Sequence, residues 1–168
     1  MPRDLGDGVM EASQHRGATD MKSINNYELR IRRVKLAEAG APYGEPVSGP
    51  TDVTRIAQAL IGDAAEEHFV VIHLDVKNKV LGFTEVGRGS IDGCAVDVRQ
   101  VFRTAIALGA SNIVACHNHP SADPTPSRED IALTKRLAEV GALIGLPLLD
   151  HVIVTDDRTA SLRERGLM

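Results

Sequence analysis

Two histidines and a carboxylate fall within one short stretch: His117-Asn118-His119-Pro120, a Ser/Asp/Thr/Pro loop, then Ser127-Arg128-Glu129-Asp130. The apolar run Ile113-Val114-Ala115-Cys116 leads into it, so His117 and His119 are expected at the end of a buried strand. Residues two apart on a strand share a face, which aims both imidazoles at one point and turns Cys116 and Asn118 away. Pro120 cannot continue a ladder, and Pro124 and Pro126 stiffen the loop that follows. A helix is expected from Ser127, with Asp130 in its first turn and able to come back over the strand end as a third ligand. Two imidazoles and one carboxylate suit Zn2+ and leave a fourth tetrahedral position for water, as catalytic zinc sites do. Zinc lowers the pKa of such a water to about 7, so hydrolysis is the chemistry to expect.

The same residues have plainer explanations. Ser-x-x-Asp is a helix capping box, which serves orphan N–H groups and needs no metal. A His-x-His pair can stand at a strand end by chance. What argues for a metal site is the combination, with seven residues between His119 and Ser127 in a strand-loop-helix context.

Several elements must position this stretch. Residues 1–22 are polar and aperiodic and read as a disordered tail, with Met10 or Met21 as alternative starts. Residues 23–50 read as an edge strand and a linker. Tyr27, Leu29 and Ile31 alternate with charges, and Arg30, Arg32, Arg33 and Lys35 give a basic face, either a solvated edge or a partner surface. Residues 51–168 form the main domain. Thr51 caps a helix carrying Val53, Ile56, Ala57 and Leu60, and Gly62 ends it. A hairpin follows, Phe69 to Leu74 and Val80 to Val86. Asp97 caps a second helix with the stripe Val98, Val101, Phe102 and Ala105, which crosses over toward the His117 strand. The helix from Ser127 is expected to end near Glu139, with Gly141 and Gly145 turning the chain into a last strand, Leu146 to Val154. Interleaved helices and strands argue for an α/β domain with a mixed sheet flanked by helices in three layers.

His-x-His, seven residues, Ser-x-x-Asp resembles the signature of the JAMM (JAB/MPN+) metalloproteases. The flanks, His117 to Ser121, Pro124 to Ser127 and Leu149-Asp150-His151-Val152-Ile153-Val154, resemble the RadC branch, with agreement from about Glu67 to Leu162. One departure is Ala122, where the RadC pattern usually has Gly. The resemblance implies a JAB/MPN (cytidine-deaminase-like) fold, with His117, His119 and Asp130 on the metal. It also implies a Glu just before the first long core strand. Glu67 stands there as candidate general base, with Glu66 and Glu85 as competitors. Ser127 would donate a hydrogen bond to the oxyanion. Metal-bound histidines usually donate their second N–H to a carboxylate or carbonyl, so Asp150, beside His151, is a candidate supporting partner; a satisfied core pair explains both equally well. Cys94, after a glycine-rich segment, is either a removable fourth ligand or an ordinary thiol. Cys116 reads as a buried small hydrophobe. His68 and His73 read as plain strand residues, and His15 lies in the tail. Arg99 also fits the RadC-like pattern, but a helix-face ion pair explains it as well.

Composition narrows the function. Two cysteines make no disulfide framework. The net charge of -4 gives no general pull toward nucleic acid. The first thirty residues hold no signal-peptide core, and no run approaches membrane-spanning length, so a cytoplasmic protein with no membrane partner is expected. The expected substrate is a peptide or an isopeptide-linked protein. Two alternatives stand beside zinc hydrolysis: a RadC-like DNA-repair or DNA-processing role, and a metal-binding interaction module without turnover. The His-Asn-His string resembles HNH nucleases only superficially, since that family spreads these residues over a longer motif. Between Cys116 and Glu129 only Arg128 carries a fixed positive charge to meet a phosphate.

Overall fold

The computed structural model describes residues 46–89 and 96–168. The tail over 1–22, the strand and basic face at Arg30 to Lys35, and most of the linker lie outside the described residues. In chain order the described elements are α1 (Pro50–Ile61), β1 (His68–Leu74), β2 (Val80–Arg88), α2 (Val98–Ala107), β3 (Asn112–Asn118), α3 (Arg128–Ile144), β4 (Leu148–Val154) and β5 (Thr159–Ser161). No helix among the described residues is long and apolar enough to cross a membrane.

β1 and β3 are buried along nearly their whole length, as strands covered on both faces must be, and they lie inside the sheet. The order is β2-β1-β3-β4-β5. β1 runs antiparallel to both β2 and β3, β3 runs parallel to β4, and β5 returns antiparallel to β4. Period-two alternation sorts the core into two layers. Val70, Ile72, Val114, Cys116 and Val152 pack under Val53, Ile56 and Ala57 of α1. Phe69, Val71, Ile113 and Ala115 meet Val101, Phe102 and Ala105 of α2 and Leu137 of α3 on the other face. The result is the expected three-layer α/β domain with a mixed sheet. His117, two residues beyond Ala115, emerges on the α3 side.

Three boundaries differ from expectation. α1 begins at Pro50, with Gly49 rather than Thr51 at the cap position, because proline's fixed φ suits a first helical residue. α3 continues past Glu139 to Ile144 and ends on Gly145 in the left-handed conformation, at φ 71°. Gly141 therefore makes no turn; a Cβ there would stand 2.6 Å from Leu146 O, so its role is close packing on the returning chain. That return delays β4 to Leu148.

The loop between β3 and α3 contains Ala122 at φ 61°, a left-handed conformation that costs an L-residue about 1–2 kcal/mol. The Arg158 guanidinium donates to Ala122 O and braces the strained residue. Replacing Ala122 by Gly relieves the strain at a smaller cost in chain entropy, about 0.5–1 kcal/mol. Ala122→Gly is expected to raise the urea midpoint slightly; a lowered midpoint would contradict this account of the loop.

His73 is fully buried on β1, with Nε2 2.9 Å from Thr84 Oγ1 and Nδ1 without a partner. Burial pushes its pKa down to about 4. Between that value and the ordinary 6.5 the unfolded chain binds the proton and the folded chain does not. The contribution of neutral His73 is therefore complete above pH 6.5 and is lost as the pH falls toward 4. Between pH 6.5 and 4.5 the loss is about 2 kcal/mol. In urea titrations at these two pH values, His73→Gln is expected to lose less stability than the parent by about that amount. Equal losses in both proteins would contradict the assignment.

Candidate metal centre

His117 closes β3 fully buried, and His119 follows one residue beyond the strand with its amide donating to Val154 O of β4. The two imidazoles converge as the period of two requires, with Nε2 atoms 3.0 Å apart. Asp130 comes back from the first turn of α3, placing Oδ1 3.2 Å from His117 Nε2 and Oδ2 3.6 Å from His119 Nε2. Among the described residues these three are the group whose ligand atoms gather closely enough to hold a metal ion. Tetrahedral zinc with Zn–N bonds of 2.0–2.1 Å separates two ligand nitrogens by about 3.3 Å, so the pair is nearly at coordination distance.

The capping explanation of Ser127 and Asp130 also holds, and it is compatible with ligation. Ser127 Oγ accepts from Asp130 N at 3.0 Å, while Asp130 Oδ2 accepts from Ser127 N and Ser127 Oγ, both at 2.7 Å. The cap uses Oδ2 and leaves Oδ1 to face His117. Burial pushes the Asp130 carboxyl up, but the hydrogen bonds of His117 and His119, the charge of His117 and the Ser127 hydroxyl outweigh it. They hold the group well below the usual carboxylate range. The hydrogen bond to Asp130 raises the His119 pKa against burial, helped by the Asp123 carbonyl and the charges of Asp130 and Glu67.

Each imidazole is anchored through its other nitrogen. His119 Nδ1 lies 2.7 Å from Asp123 O, which can only accept, so Nδ1 carries a proton and Nε2 is the free ligand atom. His117 Nδ1 lies 2.8 Å from His151 Nε2, and His151 Nδ1 lies 2.6 Å from Thr134 Oγ1. Burial, with the like charge of His117, drives the His151 pKa well below its ordinary value. Asp150, the carboxylate considered for this supporting role, faces elsewhere. It accepts from Ser161 Oγ at 2.7 Å, from His151 N at 2.7 Å and from Arg163 N at 3.2 Å, and so ties β4 to the closing turn.

Glu67 immediately precedes β1. Phe69 pairs with His117 at the end of the antiparallel ladder, and Glu67 lies two residues before Phe69, just outside it. Its carboxylate is half-buried and close enough to raise the pKa of His119. The competitors are engaged elsewhere: Glu66 pairs with Arg88 at 2.7 Å, and Glu85 with His68 Nδ1 at 3.1 Å. The fully buried Asn118, turned to the opposite face from the ligands, braces the Glu67 segment on both sides. Its Nδ2 donates to Ala64 O and Glu66 O at 3.1 and 2.9 Å, and its Oδ1 accepts from His68 N at 2.7 Å. Neither this brace nor the role of Thr134 was anticipated from the sequence. Thr134 carried one available signal, a hydroxyl on an otherwise apolar stripe four residues after Asp130. Cys116 is a free, buried thiol, with burial raising its pKa, and it packs on the α1 side. Arg99 pairs with Asp97 in an exposed contact at the start of α2. Cys94 lies outside the described residues.

Comparison with known proteins agrees with the fold. The family model described as "RadC-like JAB domain" matches residues 47–167. A UPF0758 protein of Geobacillus kaustophilus is 51% identical over 165 residues, covering 98% of this chain and 73% of the relative. A UPF0758 protein of Clostridium perfringens is 42% identical over 161 residues, covering 96% and 66%. One from Caldanaerobacter subterraneus is 44% identical over 135 residues, covering 80% of this chain but only 57% of the relative. This chain thus matches between roughly half and three quarters of the length of these relatives. With the family model matching residues 47–167 and relatives matching most of its length, the chain belongs to the RadC-like JAB domain family.

Proposed function

We propose that the domain is a zinc-dependent hydrolase of the metallopeptidase or isopeptidase type, acting on an amide or isopeptide bond. The observation that carries the reading is the donor set: two Nε2 atoms at 3.0 Å, a carboxylate oxygen at 3.2 Å, and a separate carboxylate, Glu67, whose charge acts on His119. Bringing two neutral imidazole lone pairs this close is unfavourable without a cation or a proton between them. Three N/O ligands fit Zn2+ and leave one position open. A zinc ion held there supplies Lewis acidity and makes hydroxide available near neutral pH.

The remaining chemistry belongs to the chain's own residues. Glu67, whose carboxylate makes no hydrogen bond among the described residues, takes a proton from the attacking water and delivers it to the leaving amine. Ser127 Oγ donates to the developing oxyanion. Its present bond to Asp130 Oδ2 is duplicated by that from Ser127 N, so the hydroxyl can turn without opening the cap. The β3–α3 loop, anchored by His119 to Asp123 O, keeps the ligand pair fixed while substrate enters. A nuclease would need cations around the metal to meet a phosphodiester. The Arg158 guanidinium that reaches the β3–α3 loop is engaged by Ala122 O, while the charges facing the two imidazoles are the carboxylates of Asp130 and Glu67, which favours the amide reading.

Purified protein loaded with zinc and freed of excess is expected to hold close to one ion per chain, and Asp130→Ala to lose it. Glu67→Gln is expected to retain parental zinc while losing at least a hundredfold in cleavage of a responsive peptide or isopeptide substrate. Undiminished cleavage by a zinc-replete Glu67→Gln variant would remove Glu67 from its role. Parental metal content in Asp130→Ala would remove Asp130 from the ligand set.

A further inference from the structure

Four polar groups lead inward from the candidate metal centre, and their hydrogen-bonding capacities fix a single order of protons. As a metal ligand through Nε2, His117 carries its proton on Nδ1. The atom 2.8 Å away, His151 Nε2, must then accept. A neutral His151 accepting through Nε2 carries its own proton on Nδ1, which points at Thr134 Oγ1 at 2.6 Å. Thr134 has one hydroxyl proton, and having accepted from His151 it must donate onward. The required acceptor is present: Thr134 Oγ1 lies 2.6 Å from Asp130 O, the carbonyl one helical turn back. Thr134 and His151 are both fully buried, so no solvent competes for these bonds.

The chain of bonds that starts on one ligand therefore ends on the backbone of another. Asp130 offers its side chain to the metal site and its carbonyl to the far end of the His117 support. We infer that Thr134 is a positioning residue for the metal centre: acting through His151, its hydroxyl selects the His117 tautomer whose Nε2 is free to bind a cation. This inference rests on the zinc reading of the site for its purpose, but the same proton order follows without metal from the other end: Thr134 donates its one proton to Asp130 O, so His151 Nδ1 must donate to Thr134 and His151 Nε2 must accept from His117.

The ring contacts support the same arrangement. The rings of His117 and His151 lie with centroids 4.8 Å apart, and Phe69 packs on both, stacked on His117 at 5.9 Å and edge-on to His151 at 5.3 Å. Phe69 thus restricts ring rotation, while Thr134 decides which nitrogen carries the proton. Replacing Thr134 by Val keeps the side chain's shape and removes the acceptor for His151 Nδ1–H. His151 then gains by moving its proton to Nε2, where it meets His117 Nδ1 and drives the His117 proton toward the ligand position.

The test is two-bond 15N–1H correlation of the histidine rings in metal-free protein at pH 8, combined with zinc affinity measured by chelator competition, for the parent, Thr134→Val and Thr134→Ser. The parent is expected to show His151 protonated on Nδ1 and bare on Nε2. Thr134→Val is expected to shift His151 toward Nε2–H and to weaken zinc binding ten- to a hundredfold. Thr134→Ser restores both, which a purely packing role for the threonine methyl would not. Two results overturn the inference: a parent His151 protonated on Nε2, which needs no variant to observe, or a folded Thr134→Val with parental tautomers and affinity. A parent with the expected tautomers but no zinc affinity would instead sink the zinc reading and leave the proton order standing.

Discussion

Asp130 serves two structures at once, and the rest of the site depends on its doing so. Its Oδ2 closes the first turn of α3 by accepting from both the amide and the hydroxyl of Ser127, and its Oδ1 faces His117 at 3.2 Å. A capping box is normally a device for satisfying orphan N–H groups. Here it also removes the rotational freedom of a carboxylate that must meet two imidazoles. The helix end is held by the same bonds that hold this carboxylate, so its orientation is set as the helix folds.

The sheet imposes the matching constraint from the other side. β3 is covered on both faces, so His117 enters a site without solvent and every polar atom on it needs a partner. The chain meets this demand with a histidine from the parallel neighbour β4, a threonine from the inner stripe of α3, and a carbonyl of α3 itself. His119, just past the strand, is partly exposed and is held by the loop carbonyl of Asp123. The buried histidine is thus supported from the core and the accessible one from the surface. The partly exposed side of the site lies by His119 and Glu67.

Much of this was legible in the sequence because it follows from periodicity. A period of two placed His117 and His119 together, the proline-rich loop and Ser-x-x-Asp placed the start of α3, and the interleaving of helices and strands pointed to a mixed sheet flanked by helices. What was hidden depended on tertiary register. Glu67 stands out from Glu66 and Glu85 only once Phe69 is seen opposite His117 and the other two are seen in ion pairs. Thr134 and Asn118 look like a stripe residue and a motif spacer until the partners across the sheet are known. Gly141 looked like a helix stop, but the chain folding back at Leu146 makes it a close-packing position within the helix. In each case a local preference was overridden by what packs against the residue.

The central claim is an open zinc site built from two imidazoles and one carboxylate. X-ray absorption at the zinc edge on the loaded full chain tests it most directly. The account predicts four nitrogen or oxygen scatterers at about 2.0–2.1 Å, with the outer-shell pattern of two imidazoles and no sulfur. A sulfur scatterer near 2.3 Å, or a shell with no imidazole contribution, would contradict it.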